Sequence, residues 1–327
     1  MRDGQGRIID YLRVSLTDRC NLRCSYCMPE ECPRWLPRER LLANEELLRI
    51  VELLVRMGIR DIRLTGGEPL LRENLEELAG SIAAMEGVRR VSLTTNGVLL
   101  AGKLPALLEA GISGVNISLN ALERDCYRKI AGRDLWEKAW EGFQAAVSFA
   151  DRLTVKVNVV PMKGVNEDQL VPLAALAARY PVHVRFIEMM PVGRGAYTEG
   201  IREEEVLKRL EAAFGPLLPS PGPAGSGPAV YRSPEGFLGS IGWISAVSHK
   251  FCDRCSRIRL TADGWLKTCL QYEAGLDLAG LLRKGASREE LLQAVEEAVR
   301  KKPACHAFGE AQEGDGWEKR PMSGIGG

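Results

Sequence analysis

The chain has 327 residues, 45% of them hydrophobic and 27% charged, enough to bury one large core or two smaller ones, which excludes a disordered, fibrous or miniature protein. Lys and Arg number 44 against 43 Asp and Glu, so no global field holds a polyanion and long nucleic acid is excluded as the main partner. No apolar run reaches the ~18 residues of a membrane span, and Met1 to Asp10 mixes Arg, Asp and Gly instead of an apolar leader core, so a soluble cytoplasmic protein with no membrane partner is expected.

Along the chain, short β-rich runs recur: YLRVSLT (11–17), DIRLT (61–65), RVSLTT (90–95), GVNISL (114–119), LTVKVNVV (153–160) and VHVRFIE (182–188). Segments between them, 45–57, 74–85, 136–150 and 167–179, carry apolar residues at spacings of three and four and predict helices. Strands alternating with helices imply right-handed crossovers and a parallel sheet. Six units instead of eight predict an α/β fold, an incomplete (βα)6 TIM-like barrel open on one side. The stretch GPLLPSPGPAGSGPA (215–229) is too rich in Pro and Gly for a helix or a central strand, so a boundary is placed there, dividing residues 1–222 from 223–327. Beyond it lie AVYRS, FLGSIGWIS, RIRLT and WLKTC, the last two joined by the turn Ala262-Asp263-Gly264, then a helix from Ser287 to about Arg300. This part is expected to be a small domain closing the mouth of the barrel.

Nine cysteines is an odd number, and six fall into two tight groups, Cys20, Cys24, Cys27 and Cys252, Cys255, Cys269, which is ligand spacing and not disulfide spacing. Cys32 follows the first group closely, while Cys126 and Cys305 stand alone and are expected to be packing residues. The first group follows the first strand directly, at the end where barrel active sites are built. Three thiolates at these spacings cover three irons of a cubane and leave the fourth open for chemistry. A structural zinc site wants four closed ligands, which this loop does not supply alone, and Cys32-Pro33 imitates the ending of a closed ferredoxin-type run. For the second group a cluster and a zinc ribbon completed by His249 or Cys305 stand level.

The loop Cys20-x3-Cys24-x2-Cys27, with Tyr26 before the last Cys, and Gly66-Gly67-Glu68-Pro69 after the second strand resemble the radical S-adenosylmethionine (SAM) superfamily. The resemblance implies a 4Fe-4S cluster on these cysteines, with SAM chelating the open iron and splitting to a 5'-deoxyadenosyl radical. From Tyr11 to Gly327 the chain resembles the GTP 3',8-cyclase family of molybdenum cofactor biosynthesis, through DYLRVSLTDRCNLRCSYCMP, IRLTGGEPLLR, LTTNG, VNISLNAL, VKVNVV, RFIEMMPVG, FCDRCSRIRLTADG and the terminal RPMSGIGG. That family implies a second 4Fe-4S cluster on Cys252, Cys255 and Cys269, SAM contacts at Tyr26, Gly67, Ser118 and Met190, and GTP contacts at Arg13, Arg63, Thr94, Lys156, Arg257 and Arg259. It also implies that Gly326 and Gly327 reach the active site, that an electron donor and cyclic pyranopterin monophosphate synthase are partners, and that the protein is a homodimer.

The residues themselves agree with a phosphate-rich ligand. Arg13, Arg63 and Lys156 each interrupt an apolar strand, where an unpaired cation is costly, and a triphosphate would neutralise all three. Arg185 is a fourth candidate, and the bland reading places each cation on a solvated face or beside an acid. Asn120 stands where the family usually has Asp, and Cys32 and Cys305 lie outside its motifs. Two rivals differ in class: a peptide-modifying radical enzyme, which would need more C-terminal cysteines, and a zinc-bound interaction module without catalysis.

Overall fold

In the computed structural model the described residues are 1–28, 35–223, 227–308 and 316–326. Cys32 and Gly327, both named above, lie outside them.

Six strands follow the predicted runs: β1 (Tyr11–Ser15), β2 (Asp61–Thr65), β3 (Arg90–Thr95), β4 (Ile112–Ser118), β5 (Thr154–Val159) and β6 (His183–Ile187). Each pairs in parallel with the next. Their apolar residues alternate: Leu12 and Val14, Ile62 and Leu64, Val155 and Val157, and Val184 and Phe186 are buried beneath the outer helices. The intervening residues face the concave side, where the polar groups collect. The covering helices include α1 (Asn44–Arg56), α2 (Leu75–Ala83), α3 (Leu100–Glu109), α4 (Arg124–Ala131) and α5 (Trp136–Val147). In α1 the buried residues Leu47, Ile50, Val51, Leu54 and Val55 fall at helical spacing, and Glu46 accepts from the Ala43 N–H at 2.9 Å to close the first turn. The predicted helix over 167–179 is broken instead into a 3-10 turn (Glu167–Gln169) and short helices Leu170–Ala174 and Leu176–Arg179.

The C-terminal part does more than sit over the barrel mouth. Its strands are β8 (Val230–Ser233), β9 (Ser240–Ile244), β10 (Arg257–Leu260), β11 (Trp265–Lys267) and β12 (Gly275–Asp277), and β8 pairs with β7 (Leu218–Pro219), which lies before the boundary placed at 222. The sheet runs β12-β11-β10-β1-β2-β3-β4-β5-β6-β9-β8-β7, so this part extends both flanks. Strand β10 lies parallel to β1, with Arg13 opposite Arg259, and β9 lies parallel to β6, with Arg185 opposite Gly242. The turn at 262–264 does join β10 and β11 antiparallel, with Thr261 Oγ1 donating to Asp263 Oδ1 at 2.5 Å. The last long helix is Arg288–Arg300, capped by Ser287, whose hydroxyl accepts from the Glu290 N–H. Pro219 falls on the outermost strand, where a missing N–H is tolerated. Among the described residues no helix is long and apolar enough to cross a membrane.

Candidate active site

The carboxyl ends of β1 to β6 surround a cavity of about 310 Å³. Its wall includes both Cys20, Cys24 and Cys27 and Cys252, Cys255 and Cys269. Both groups thus open on one space, though residue 250 and residue 20 are far apart in sequence.

Strand β1 ends and the chain turns at once into the first cysteine loop. Gly67 holds that loop from below: its N–H donates to Thr17 O at 2.6 Å, and a Cβ there would come within 2.2 Å of Arg19 O. A side chain is therefore impossible without moving the loop, which is the physical need for glycine at this place. Glu68, wholly buried, ties the loop after β2 to the one after β3, accepting from Leu70 N at 3.1 Å, Thr95 Oγ1 at 2.7 Å and Asn96 N at 2.8 Å. Burial lifts its carboxyl to about 7 against these three bonds. Asn96 in turn donates to Asn21 Oδ1 at 2.7 Å and reaches Cys20 Sγ.

The three thiols suit a polynuclear centre. Burial raises Cys20 to about 11, raises Cys24 well above the ordinary thiol range and raises Cys27 to about 12, and each of Cys24 and Cys27 feels its neighbouring sulfurs. Buried, mutually close thiols that would resist ionising alone are stabilised as thiolates by a cationic iron core. In the second group, burial raises Cys255, but Arg257 and Lys302 outweigh it and bring the thiol down to about 7.

Beside the first group lie Tyr26, Gly67, Ser118 and Met190, all on the cavity wall. Asn120 explains itself here: its amide donates to Tyr26 Oη at 3.0 Å while its Oδ1 accepts from Val160 N at 2.8 Å. A carboxylate would keep the second bond and reverse the first.

The basic residues form a ladder. Arg259, Arg13 and Arg63 stand opposite one another on β10, β1 and β2. Like charges directly across a sheet repel. Arg13 is lowered well below its ordinary range by burial and by Arg259 and Arg63, and Arg259 falls to about 10 through burial beside Arg257. Among the described residues no carboxylate pairs with Arg63, Arg185, Arg257 or Arg259, and Arg63 Nε is buried without a hydrogen-bond partner. Arg185 is held by neutral amides, donating to Asn158 at 3.0 Å and Asn116 at 2.8 Å, and it lines the cavity with Arg13, Arg63, Thr94, Arg257 and Arg259. Lys156 does not line it: one pleat deeper than Asn158, it is buried and lowered to about 6 by desolvation and by Arg185 and Arg63.

The tail enters this space. Gly326 carries φ 73°, a left-handed conformation suited to glycine, and its carbonyl accepts from Arg259. The Ser323 N–H reaches Cys27 Sγ. Met322 and Ser323, not Gly326, are the tail residues on the cavity wall.

Sequence reasoning missed three contributors. Arg7, in the segment read only for its lack of an apolar core, grips Cys252 O at 2.6 Å, Pro303 O at 2.7 Å and Ala304 O at 2.8 Å, itself ion-paired to Asp3. Lys302, at a helix end, donates to Arg257 O at 2.9 Å and to Thr268 O. Glu68 appeared only as part of a motif. None carries a local signal beyond its own charge. Cys126 packs as expected, its thiol on Val165 O at 3.4 Å, but Cys305, expected to pack likewise, is exposed, and His249 turns to Glu203 at 3.3 Å instead of joining the second cysteine group.

Two family models match the chain: the radical SAM superfamily over residues 14–177 and Molybdenum Cofactor Synthesis C over residues 182–308. The chain is 44% identical over 331 residues to the GTP 3',8-cyclase of Pelotomaculum thermopropionicum and 43% identical over 330 residues to that of Moorella thermoacetica, with 100% of both chains covered in each case. The GTP 3',8-cyclase of Nostoc sp. is 42% identical, covering 98% of this chain and 99% of its own. Streptococcus suis SuiB bound to S-adenosylmethionine shares the fold at TM-score 0.60 and 12% identity, over 90% of this chain and 67% of its own. With full-length identity of this order, and both cysteine groups opening on one cavity, the chain belongs to the GTP 3',8-cyclase family of the radical SAM superfamily.

Proposed function

We propose that the protein cyclises GTP to (8S)-3',8-cyclo-7,8-dihydroguanosine 5'-triphosphate in molybdenum cofactor biosynthesis. The observation that carries this reading is the ladder Arg259, Arg13, Arg63 set with two cysteine triplets around one cavity. Cys20, Cys24 and Cys27 would hold one 4Fe-4S cluster and Cys252, Cys255 and Cys269 another. When bound, the first cluster and SAM supply one-electron chemistry that no side chain can perform.

The protein's own part is placement. Tyr26, Gly67, Ser118 and Met190, all on the cavity wall, are proposed to hold SAM beside the first cluster. Arg13 and Arg63 present planar forks to phosphate oxygens, with Arg185 and Lys156 behind them. Arg257 and Arg259, two apart on β10, share a face beside the second triplet, where the guanine base is proposed to lie, and Thr94 contributes from β3. Residues 1–222 thus serve radical generation, and 223–327 serve the second cluster and the base. Gly326 and Gly327 are proposed to bring backbone groups to the reacting atoms, with Arg259 holding the first of them. The C-terminal residues on the cavity wall are proposed to limit the access of water and oxygen. An electron donor and a product-accepting cyclic pyranopterin monophosphate synthase complete the proposal, with the protein cytoplasmic and homodimeric.

Anaerobic incubation of the reconstituted, reduced protein with SAM and GTP should yield one 5'-deoxyadenosine per cyclised nucleotide, read by mass spectrometry. Deoxyadenosine without any cyclised nucleotide would leave the superfamily chemistry and reject the substrate. Arg63→Ala removes a charge-assisted contact of roughly 1.5–3 kcal/mol, so GTP binding should weaken about ten- to a hundredfold with both clusters retained. Unchanged GTP affinity in that variant counts against the phosphate role.

Lys156 adds a pH signature. In the free protein it is mostly neutral above about 6, and a triphosphate beside Arg63 and Arg185 restores its charge. Binding at neutral pH is therefore expected to take up a proton, and affinity should fall as pH rises above 6, by at most about tenfold per pH unit. Calorimetry in two buffers of different ionisation enthalpy measures the uptake, and Lys156→Met should abolish it.

A further inference from the structure

Around Cys252 the chain gathers a second set of ligand-type groups. Cys252 opens the 3-10 turn Cys252–Arg254, and the segment following the helix Arg288–Arg300 passes beside it. That passage brings the sulfurs of Cys252 and Cys305 and a ring nitrogen of His306 within 4.8 Å of one another. The two thiols hydrogen-bond, and the His306 N–H donates to Cys252 Sγ. Arg7 fastens both sides of the contact, binding the carbonyl of Cys252 and those of Pro303 and Ala304 with one guanidinium. The arrangement is therefore built into the fold from three separate stretches of chain.

We propose that Cys252, Cys305 and His306 form a site for a single thiophilic divalent cation of the zinc class, filled when the C-terminal triplet carries no cluster. Tetrahedral zinc with bonds of ~2.3 Å to sulfur and ~2.0–2.1 Å to nitrogen sets neighbouring ligand atoms roughly 3.5–3.8 Å apart. From within 4.8 Å, the three groups need to draw in by at most roughly 1.0–1.3 Å to reach that spacing. Two thiolates and an imidazole select zinc or cobalt over magnesium or calcium, and a water completes the fourth position. Cys305 is exposed, which gives the ion an entry path. His306 Nδ1 accepts a 3.3 Å bond from the Phe308 N–H, which a cation on that nitrogen displaces. Uptake releases the two thiol protons.

Cys255 and Cys269 are not in this set, so Cys252 alone is shared with the second triplet. A Cys252 thiolate committed to the cation leaves the triplet only Cys255 and Cys269 as terminal ligands, so the cation and an intact C-terminal cluster compete for that sulfur and are expected to exclude each other. That exclusion, though not the cation site itself, rests on the cluster assignment made above.

The full-length protein, stripped of iron, is titrated anaerobically with Co2+ and then with Zn2+, beside Cys305→Ser and His306→Gln. Each variant is expected to lose about one tightly held equivalent, with its sulfur-to-cobalt charge transfer and tetrahedral ligand-field bands. Affinity at that site should fall by more than the ~10–100-fold that losing an outer-shell partner costs. Loading the wild-type chain with one Zn2+ before reconstitution should leave the C-terminal triplet without iron, whereas Cys305→Ser, treated alike, should take up both clusters. Identical cobalt spectra and stoichiometry in all three proteins would overturn the site and place any ion on Cys252, Cys255 and Cys269. Wild-type protein that gains both clusters while keeping its zinc would overturn the exclusion. Should no iron enter the C-terminal triplet of any protein while the cobalt difference persists, the cation site stands and the cluster assignment falls.

Discussion

Replacing Cys24 by Ala is expected to abolish 5'-deoxyadenosine formation while leaving the C-terminal triplet able to take up iron. Cys24 is packed between Cys20 and Cys27 on the cavity wall, and Cys252, Cys255 and Cys269 approach from the flank that β10 and β11 add. A cubane held by two thiolates loses a corner that nothing nearby replaces, because the Asn21 and Asn96 amides already bond each other. Reconstituted protein should contain about four fewer irons per chain than the parent, and reductive SAM cleavage should fall to background. Parental deoxyadenosine production by Cys24→Ala would remove the first triplet from the chemistry.

Glu318→Gln should destabilise the fold by ~3–5 kcal/mol and cost most of the product formed. The side chains of Lys267 and Glu318 are 0% and 1% exposed and bond directly, and Glu318 also accepts from Arg320 Nε at 3.0 Å. With a neutral amide at 318, the Lys267 ammonium is left buried without its countercharge, a far larger cost than the pair's own net worth. The same pair fixes the tail. Glu318 N donates to Gln271 O at 2.6 Å and Trp317 bridges Tyr272, after which the chain runs on to the Cys27 sulfur and the Arg259 guanidinium. The apolar double replacement Lys267→Met, Glu318→Leu should recover most of the stability in chemical denaturation, since two well-packed hydrocarbon groups carry no desolvation penalty. Equal stability of the single variant and the parent would show that the pair is not the clamp.

How far such a site can be read in advance depends on where each signal resides. The inner six strands are legible because apolar residues alternate with polar ones over five to seven positions, and the side-chain period is the signal. The six cysteines are legible because ligand spacing is local. Helix α3 is harder, since Pro105 lies inside it and interrupts a pattern otherwise typical of a helix. The pairing of β1 with β10 is invisible in either strand, as parallel register between residues 11 and 257 leaves no mark in the neighbouring sequence. For the same reason Arg7 and Lys302 escape notice: each acts on carbonyls, which every residue possesses. Arg185 shows the intermediate case, a cation within an apolar strand whose amide partners Asn116 and Asn158 come from two other strands.

The placement of β9 and β10 also governs what happens while the protein is being made. When Ile187 leaves the ribosome, β1 to β6 are complete, yet both outer members of that group still lack their neighbours. Strand β6 waits for residues 240–244 and β1 for residues 257–260, a delay of several seconds at ~5–20 residues per second. Through that interval the nascent chain presents two bare rows of backbone donors and acceptors, an invitation to pair with other chains. A fragment ending at residue 222 keeps both rows bare permanently. Synthesis past Leu260 is therefore the event that removes the hazard, and a chaperone that shields strand edges has its use before it.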